Sequence, residues 1–420
     1  MKTYAMMVLG CKVNDYEATY LKQVMDKDYQ EVSFKEVADI YVIFTCCVTN
    51  MAESKTRKFI NQARRRNPNA YIVAVGCLSQ VKPENNVFEQ VNLLIGSKYK
   101  DKIKEYIDEH INANMVSSLQ NVEFENLYID NYSRKNRAFL KIQDGCNQYC
   151  SYCIIPFARG RERSGKLEQI VLEAKQLAKN AKEIVLTGIH TGRYFDGENH
   201  LIDLLKALEQ IEDLQTVRLS SIEITELSDE LLQFMQSSKK MAHHLHIPLQ
   251  AGSDHILKLM NRPYDTEYFL KRVAYIRSLM PGISISTDLI VGFPQESDDD
   301  FNETIELLKK VKFSFIHLFP YARKAKTKAD SLDGHIDARV KKQREEAVND
   351  VQKPLSLAFK QSHINSQSLM FIEKHDNGYS YGYTSEYLYT RVKGEYPIGD
   401  VFDVNLIAVE NDIMLGEICS

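Results

Sequence analysis

The sequence predicts an α/β protein of three parts in series: a parallel-sheet N-terminal domain (residues 1–112), a partial (β/α)6 barrel (132–352) and a small C-terminal all-β barrel (357–420). Three observations lead there. Short apolar runs alternate with amphipathic stretches near the N-terminus, six further strand-then-helix repeats follow, and the residues after 358 exchange that rhythm for short strands broken by turns. A chain of 420 residues suits about three domains, each burying its own core.

The first strands read as residues 4–9, 40–44, 71–76 and 91–95, joined by crossover helices. Open parallel sheets bind ligands beyond the carboxyl ends of their strands. Cys11, Cys46 and Cys77 each follow such an end closely, so three thiols distant in sequence should meet at one rim. Residues 111–136 are polar and poorly periodic and read as a linker. The barrel strands read as 138–143, 183–188, 216–221, 244–249, 283–291 and 313–321, with the active site expected at their carboxyl ends. A charged helix is expected over 338–351, with Pro354 marking its end. Beyond it, 379–384, 387–392, 401–409 and 413–418 read as strands of a small barrel, whose tyrosines fall at strand spacing and read as core, with stacking on bases as the alternative.

Composition narrows the class. Hydrophobic residues make up 44% and charged residues 26%, and no apolar run approaches the roughly 20 residues of a membrane-spanning helix. The segment from Met1 to Gly10 lacks the pattern of a secretory leader and reads as a first strand, so a soluble, cytoplasmic protein with no membrane partner is expected. Eight cysteines in such a chain point to metal ligation rather than disulfides. A net charge of -4 offers nucleic acid no global attraction, so RNA contact has to come from local basic patches.

Gly145-Cys146-Asn147-Gln148-Tyr149-Cys150-Ser151-Tyr152-Cys153 sets three cysteines in one loop after the first barrel strand. Thiolates are the usual iron-sulfur ligands, and three of them hold three irons of a cubane and leave the fourth open. A zinc knuckle or a plain electron-transfer cluster is the blander reading, disfavoured by the rare spacing and its place in the barrel. The spacing resembles that of the radical S-adenosylmethionine superfamily, whose open iron chelates the amino and carboxylate groups of S-adenosylmethionine. Tyr152, an aromatic just before the last cysteine, fits that pattern. Gly188, in Leu186-Thr187-Gly188, allows close backbone approach to the methionine part, while Ser221, Glu223 and Gln250 end the third and fourth strands with groups suited to ribose, adenine or carboxylate. The alternative for each is a satisfied loop residue. Cys11, Cys46 and Cys77 read either as buried structural cysteines or, more sharply, as ligands of a second cluster with an open iron. Cys47 would point the other way along a continuing strand and reads as a bystander, and Cys419 as inert.

Ser220-Ser221-Ile222-Glu223, the stretch from His244 to Gln250, the stretch from Ser286 to Pro294, and His317-Leu318-Phe319-Pro320-Tyr321 together resemble the methylthiotransferases of that superfamily over essentially the whole chain. The resemblance implies an N-terminal domain with an auxiliary cluster, a barrel with the radical cluster and a terminal TRAM-like barrel that binds substrate. It implies two [4Fe-4S] clusters held by the six cysteines, and two uses of S-adenosylmethionine: one methylates sulfur at the auxiliary cluster, the other is reductively cleaved to a radical that abstracts hydrogen from the substrate. A reducing donor such as flavodoxin or ferredoxin is implied as well. The runs from Cys11 to Glu17 and from Arg159 to Ser164 look most like the branch acting on N6-threonylcarbamoyladenosine at position 37, beside the tRNA anticodon. The alternatives are isopentenyladenosine in tRNA, ribosomal protein S12, or a non-catalytic electron-transfer or RNA-binding protein. Phe44, Thr225, Gln295 and the run from Ala322 to Thr327 depart from the family's usual residues.

Residues 358–420 hold four Lys/Arg against nine Asp/Glu, a poor balance for gripping phosphate. The anticodon stem-loop is therefore expected at Arg64, Arg65 and Arg66 and at Arg323 and Lys324, with Arg159, Arg161 and Arg163 nearby. Solvated charged faces are the ordinary alternative.

Overall fold

The computed structural model describes residues 1–130, 132 and 137–419. The N-terminal sheet is wholly parallel, in the order Gln30–Glu31, Thr3–Val8, Ile40–Thr45, Tyr71–Gly76, Leu93–Ile95, Ala113–Asn114. Helices such as Lys12–Met25 and Asn50–Arg66 connect the strands, and Ile40–Thr45 is buried at every position, as a sheet covered on both faces requires. The strand order reverses between Thr3–Val8 and Ile40–Thr45, the switch point at which such sheets open a crevice. Cys11 and Cys46 stand there. The two edge strands of two residues each are too short to leave a periodic trace and were not expected.

Six parallel strands make the incomplete barrel: Arg137–Lys141, Glu183–Thr187, Thr216–Leu219, His244–His246, Ser284–Val291 and Phe315–Pro320. They form two three-stranded sheets joined by parallel bridges at Val217/Met241 and Ser221/His246. Ala138, Leu140, Ile184, Leu186, Val217, Leu219, Leu245, Ile285 and Ile316 share one core with the surrounding helices. Strand alternation therefore turns Arg137, Lys141, Glu183, Arg218, His244, His246, Ser286 and His317 to the lumen, which is polar.

The expected linker is only partly a linker. Leu127, Ile129 and Tyr132 are buried in the barrel's core, Ala113–Asn114 joins the first sheet, and residues 131 and 133–136 lie outside the described residues. Tyr16, from helix Lys12–Met25, donates to the Leu127 carbonyl and to Glu173 Oε1 at 2.9 Å, while the Ile129 amide donates to the same carboxyl at 3.1 Å. Burial pushes Glu173 from 4.5 up to about 8, outweighing both hydrogen bonds. The folded value lies above the unfolded one, so the folded chain binds the extra proton. Stability is full below about 4.5 and is lost as pH rises to about 8, by at most about 5 kcal/mol. Thermal unfolding should fall by several degrees between pH 6 and 8.5 in the native chain, and Glu173→Gln should remove that component.

The helix expected to stop before Pro354 runs instead from Ala338 to Gln361, straight through the proline. A proline inside a helix costs about 3 kcal/mol. Here Val348 is fully buried and Arg344 pairs with Glu296 and Asp298, anchoring the helix firmly enough to carry that cost.

The terminal barrel is closed, with neighbours in the order Gln367–Asp376, Tyr379–Thr384, Tyr389–Lys393, Ile413–Ile418, Val401–Glu410. Its first strand was not expected because the charged run Glu373-Lys374-His375-Asp376 masks the inward alternation of Ser368, Met370 and Ile372. The tyrosines are not core. Met370, Ile372, Leu388, Val392, Val404, Leu406 and Met414 fill the interior, whereas Tyr379, Tyr381, Tyr383 and Tyr389 lie half-buried on the outer face. There Tyr383 stacks on Tyr387 at 4.6 Å, and the Lys374 ammonium lies 5.0 Å from the Tyr381 ring.

One turn of this barrel is seated against the amino ends of the larger barrel's strands. Arg218 Nη1 donates to the Ser385 carbonyl at 3.1 Å, and Tyr387 stacks on His244 at 5.0 Å with the Arg218 and Arg137 guanidiniums 4.9 and 5.4 Å from its ring. Among the described residues no helix is long and apolar enough to cross a membrane.

Candidate metal centres and active site

The loop carrying Cys146, Cys150 and Cys153 folds over the carboxyl ends of the barrel strands. Gly145 begins it at φ +74°, where a Cβ would lie 2.0 Å from the Arg161 carbonyl oxygen, so only glycine fits. Backbone bonds then pin the loop from several sides: Cys146 N to Gly160 O at 3.1 Å, Ser151 N to Met260 O at 3.0 Å, and Ala329 N to Ser151 O at 2.7 Å. All three thiols are half-buried and free of disulfides. Each also meets a partner. His190 Nδ1 lies 3.4 Å from Cys146 Sγ, the Arg262 guanidinium donates to Cys150 Sγ at 3.3 Å, and Cys153 lies within the electrostatic reach of both other thiols. Burial pushes Cys153 up to about 12, so the bare site holds it as a thiol and a metal would have to displace the proton. Three thiols on one rigid loop, with cationic donors behind them, fit a thiolate-bound cubane.

His190 is itself tightly held. Burial opposes its charge, but hydrogen bonds to Cys146, Glu162 and Glu226 prevail and push it up to about 12. Its Nε2 stands 2.7 Å from Glu226 Oε1.

The second thiol group assembles as the strand ends require. Gly10 sits at φ +107°, and a Cβ there would come within 3.2 Å of Cys46 Sγ, so the Cys11 turn closes directly on Cys46. Asn14 Nδ2 donates to Leu9 O at 2.6 Å and Thr45 O at 3.0 Å, tying these two turns together. Cys77 opens the short helix Cys77–Val81 and lies within electrostatic reach of both. Cys47, read as a bystander, lies in the same apolar core as Cys77. The chain bends after Thr45, the Cys47 side chain turns inward, and its thiol hydrogen-bonds Cys77. That bond, with Arg159 nearby, overcomes burial and brings Cys77 down to about 6, while burial pushes Cys46 up to about 12.

Arg159 also departs from expectation. It is fully buried, with Nε 3.2 Å from Cys77 Sγ, Nη1 2.6 Å from Glu17 Oε1 and Nη2 2.6 Å from Asn14 Oδ1. It is therefore withdrawn from any RNA surface. Lys100, Lys141, Asp144, Glu125 and Arg163 complete this network.

The residues expected to hold cofactor lie around the same mouth in different states. Tyr152 is half-buried beside Cys150 and Cys153. Ser221 is exposed, its carbonyl accepting from Thr191, and Gln250 adopts φ +67° with its amide bonded to Asp288 O at 2.9 Å. Glu223 pairs with Arg262, the group that also touches Cys150, and burial raises its carboxyl above the ordinary value. Gly188 packs on Gln143, where a Cβ would lie 3.0 Å from the carbonyl oxygen; Gln143 Oε1 accepts from His190 N at 2.7 Å. Arg262, Glu162, Glu226, Glu17 and Asn14 were not singled out. Each is an ordinary polar residue until the fold brings it beside a thiol or its partner.

The two basic stretches form one neighbourhood. Lys324 Nζ reaches Asn50 at 3.0 Å and Glu53 at 3.4 Å, joining the loop after the last barrel strand to helix Asn50–Arg66. Lys324 is thereby buried and its charge committed. Arg64 donates to the carbonyls of Pro68, Ala70 and Gln90, and Arg66 lies 5.7 Å from the Phe34 ring. Arg65 and Arg323 are exposed, the latter paired with Asp330 at 2.8 Å.

Comparison with known proteins agrees with this arrangement. The radical SAM superfamily model matches residues 140–308, and the model described as uncharacterized protein family UPF0004 matches 3–96. A Bacillus subtilis threonylcarbamoyladenosine tRNA methylthiotransferase, MtaB, is 36% identical over 97% of this chain and 94% of its own. A Thermodesulfovibrio yellowstonii tRNA-2-methylthio-N(6)-dimethylallyladenosine synthase is 31% identical over 98% of this chain and 97% of its own. The solved radical S-adenosylmethionine methyltransferase TsrM from Kitasatospora setae shares the fold, with a TM-score of 0.54 at 14% identity over 76% of this chain and 73% of that one. The chain belongs to the radical S-adenosylmethionine methylthiotransferases, enzymes whose chemistry runs on a [4Fe-4S] cluster and S-adenosylmethionine.

Proposed function

We propose that this enzyme methylthiolates C2 of N6-threonylcarbamoyladenosine at position 37 of tRNA, using two S-adenosylmethionine molecules and two [4Fe-4S] clusters. The observation that carries the reading is the nearness of two thiol trios. Helix Ile155–Arg159, directly after Cys153, packs Ile154 and Ala158 into the same core as Cys47, Cys77 and Leu78. Cys146, Cys150 and Cys153 would hold one cluster, and Cys11, Cys46 and Cys77 the other. When bound, the first supplies the electron that cleaves S-adenosylmethionine and the second presents sulfur for methylation.

The chain's own residues do the rest. Arg262 offers a cation between Cys150 and Glu223, where a carboxylate ligand can be gripped, and Tyr152, Gly188, Ser221 and Gln250 shape the surrounding wall. The reading treats residues 1–112, 132–352 and 357–420 as the three working domains, and a cytoplasmic protein reduced by a flavodoxin- or ferredoxin-like donor.

The substrate follows the Bacillus relative and the run from Cys11 to Glu17. The Thermodesulfovibrio relative favours dimethylallyladenosine as the second reading. Mass spectrometry of tRNA nucleosides from cells with and without the gene decides: the 2-methylthio form of threonylcarbamoyladenosine should vanish, and its persistence rejects the substrate. Of the five basic residues expected to grip RNA, Arg65 and Arg323 are the exposed ones, while Arg64, Arg66 and Lys324 are held by neighbouring groups. Arg65→Glu with Arg323→Glu should weaken tRNA binding about tenfold and reduce its salt dependence, measured by filter binding.

A further inference from the structure

Arg159 belongs by sequence to the barrel and by contact to the N-terminal thiol group. Its helix begins two residues after Cys153, and its guanidinium ends 3.2 Å from Cys77 Sγ. The same group is held by Asn14, whose amide ties the Cys11 and Cys46 turns. One side chain thus braces all three turns of the second trio from the helix that follows the first.

Charge points the same way. The buried network joins four basic groups, Arg159, Lys141, Lys100 and Arg163, to three carboxylates, Glu17, Asp144 and Glu125. Arg159, Lys100, Lys141, Glu17 and Asp144 are at most 1% exposed. A surplus cation in a dry interior requires an anionic partner. The atom that Arg159 faces without a carboxylate is Cys77 sulfur, and a thiolate-ligated cluster would supply that anion. Hydrogen bonds to ligating sulfur and local charge are two of the levers that set a cluster's potential.

We propose that Arg159 is a positioning residue for the second cluster, hydrogen-bonding its Cys77 ligand, raising its reduction potential and fixing its place relative to the first. This rests on the two-cluster reading above. Because Glu17 keeps Lys100 and Lys141 as partners when Arg159 is removed, a folded variant is attainable.

The test uses the full chain with Cys146, Cys150 and Cys153 replaced by alanine, so that any iron bound reports the second site alone. Reconstituted protein should hold about four irons. Into it are placed Arg159→Gln, Arg159→Lys and, to keep the net charge of the buried network while removing the bond to Cys77, Arg159→Gln with Glu17→Gln. The expected result is a more negative midpoint potential and an altered electron paramagnetic resonance spectrum in both glutamine-bearing variants, with lysine restoring more than half of the potential shift. A merely structural role would lower thermal stability and leave the potential of the folded fraction in place. An unchanged potential in the variants that bind iron overturns the inference and spares the two-cluster reading. Absence of iron in the triple-alanine parent overturns both.

Discussion

Alanine at any one of Cys146, Cys150 or Cys153 should reduce 5′-deoxyadenosine production from S-adenosylmethionine by about a thousandfold or more, to background. A cubane with one ligand missing from a loop that has no fourth thiol has nothing to replace it. His190 touches Cys146 but is already committed to Glu162 and Glu226. Iron after anaerobic reconstitution should fall from about eight per chain to about four. The loop's backbone anchors at Gly160, Met260 and Ala329 do not depend on the thiols, so the folded barrel should survive, as circular dichroism would register. Residual cleavage at a tenth of the native rate would show that some other set of ligands holds the radical cluster.

The opposite dissociation is expected from Cys11, Cys46 and Cys77. Alanine there should leave reductive cleavage within about threefold of native while product methylthio-nucleoside falls by at least about a hundredfold. Cys77 meets Arg159 and Cys47, whereas Cys146 and Cys150 meet His190 and Arg262. Simultaneous quantification of 5′-deoxyadenosine and modified nucleoside separates the two activities. If both collapse together in a folded variant, the two sites are not independent. Cys47→Ala is the control, since Cys47 hydrogen-bonds Cys77 without being one of the proposed ligands.

Much of this was legible in the sequence, for identifiable reasons. CxxxCxxC is a local pattern, and the placement of Cys11, Cys46 and Cys77 after strand ends needs only the rule for parallel sheets. Apolar runs separated by amphipathic stretches located all six barrel strands and the four inner strands of the first sheet. Short strands such as Gln30–Glu31 carry too few residues for a period, and Gln367–Asp376 hides its period under charge. The site's supporting residues were illegible because charge alone does not reveal burial. Arg159, Lys324 and Arg65 look alike in a chain of letters, yet the first holds a thiol, the second a carboxylate and the third faces solvent. A trace was nevertheless present. The runs from Cys11 to Glu17 and from Arg159 to Ser164, which carried the family resemblance, are the ones that meet at Asn14, Glu17 and Arg159.

The tyrosine seated at the amino ends of the barrel strands is a joint between two domains. Tyr387, stacked on His244 and flanked by Arg137 and Arg218, fastens the terminal barrel to the end of the larger barrel opposite the cysteine loop. The two barrels are thus joined at a face away from the thiols, and that joint leaves the cysteine end unobstructed.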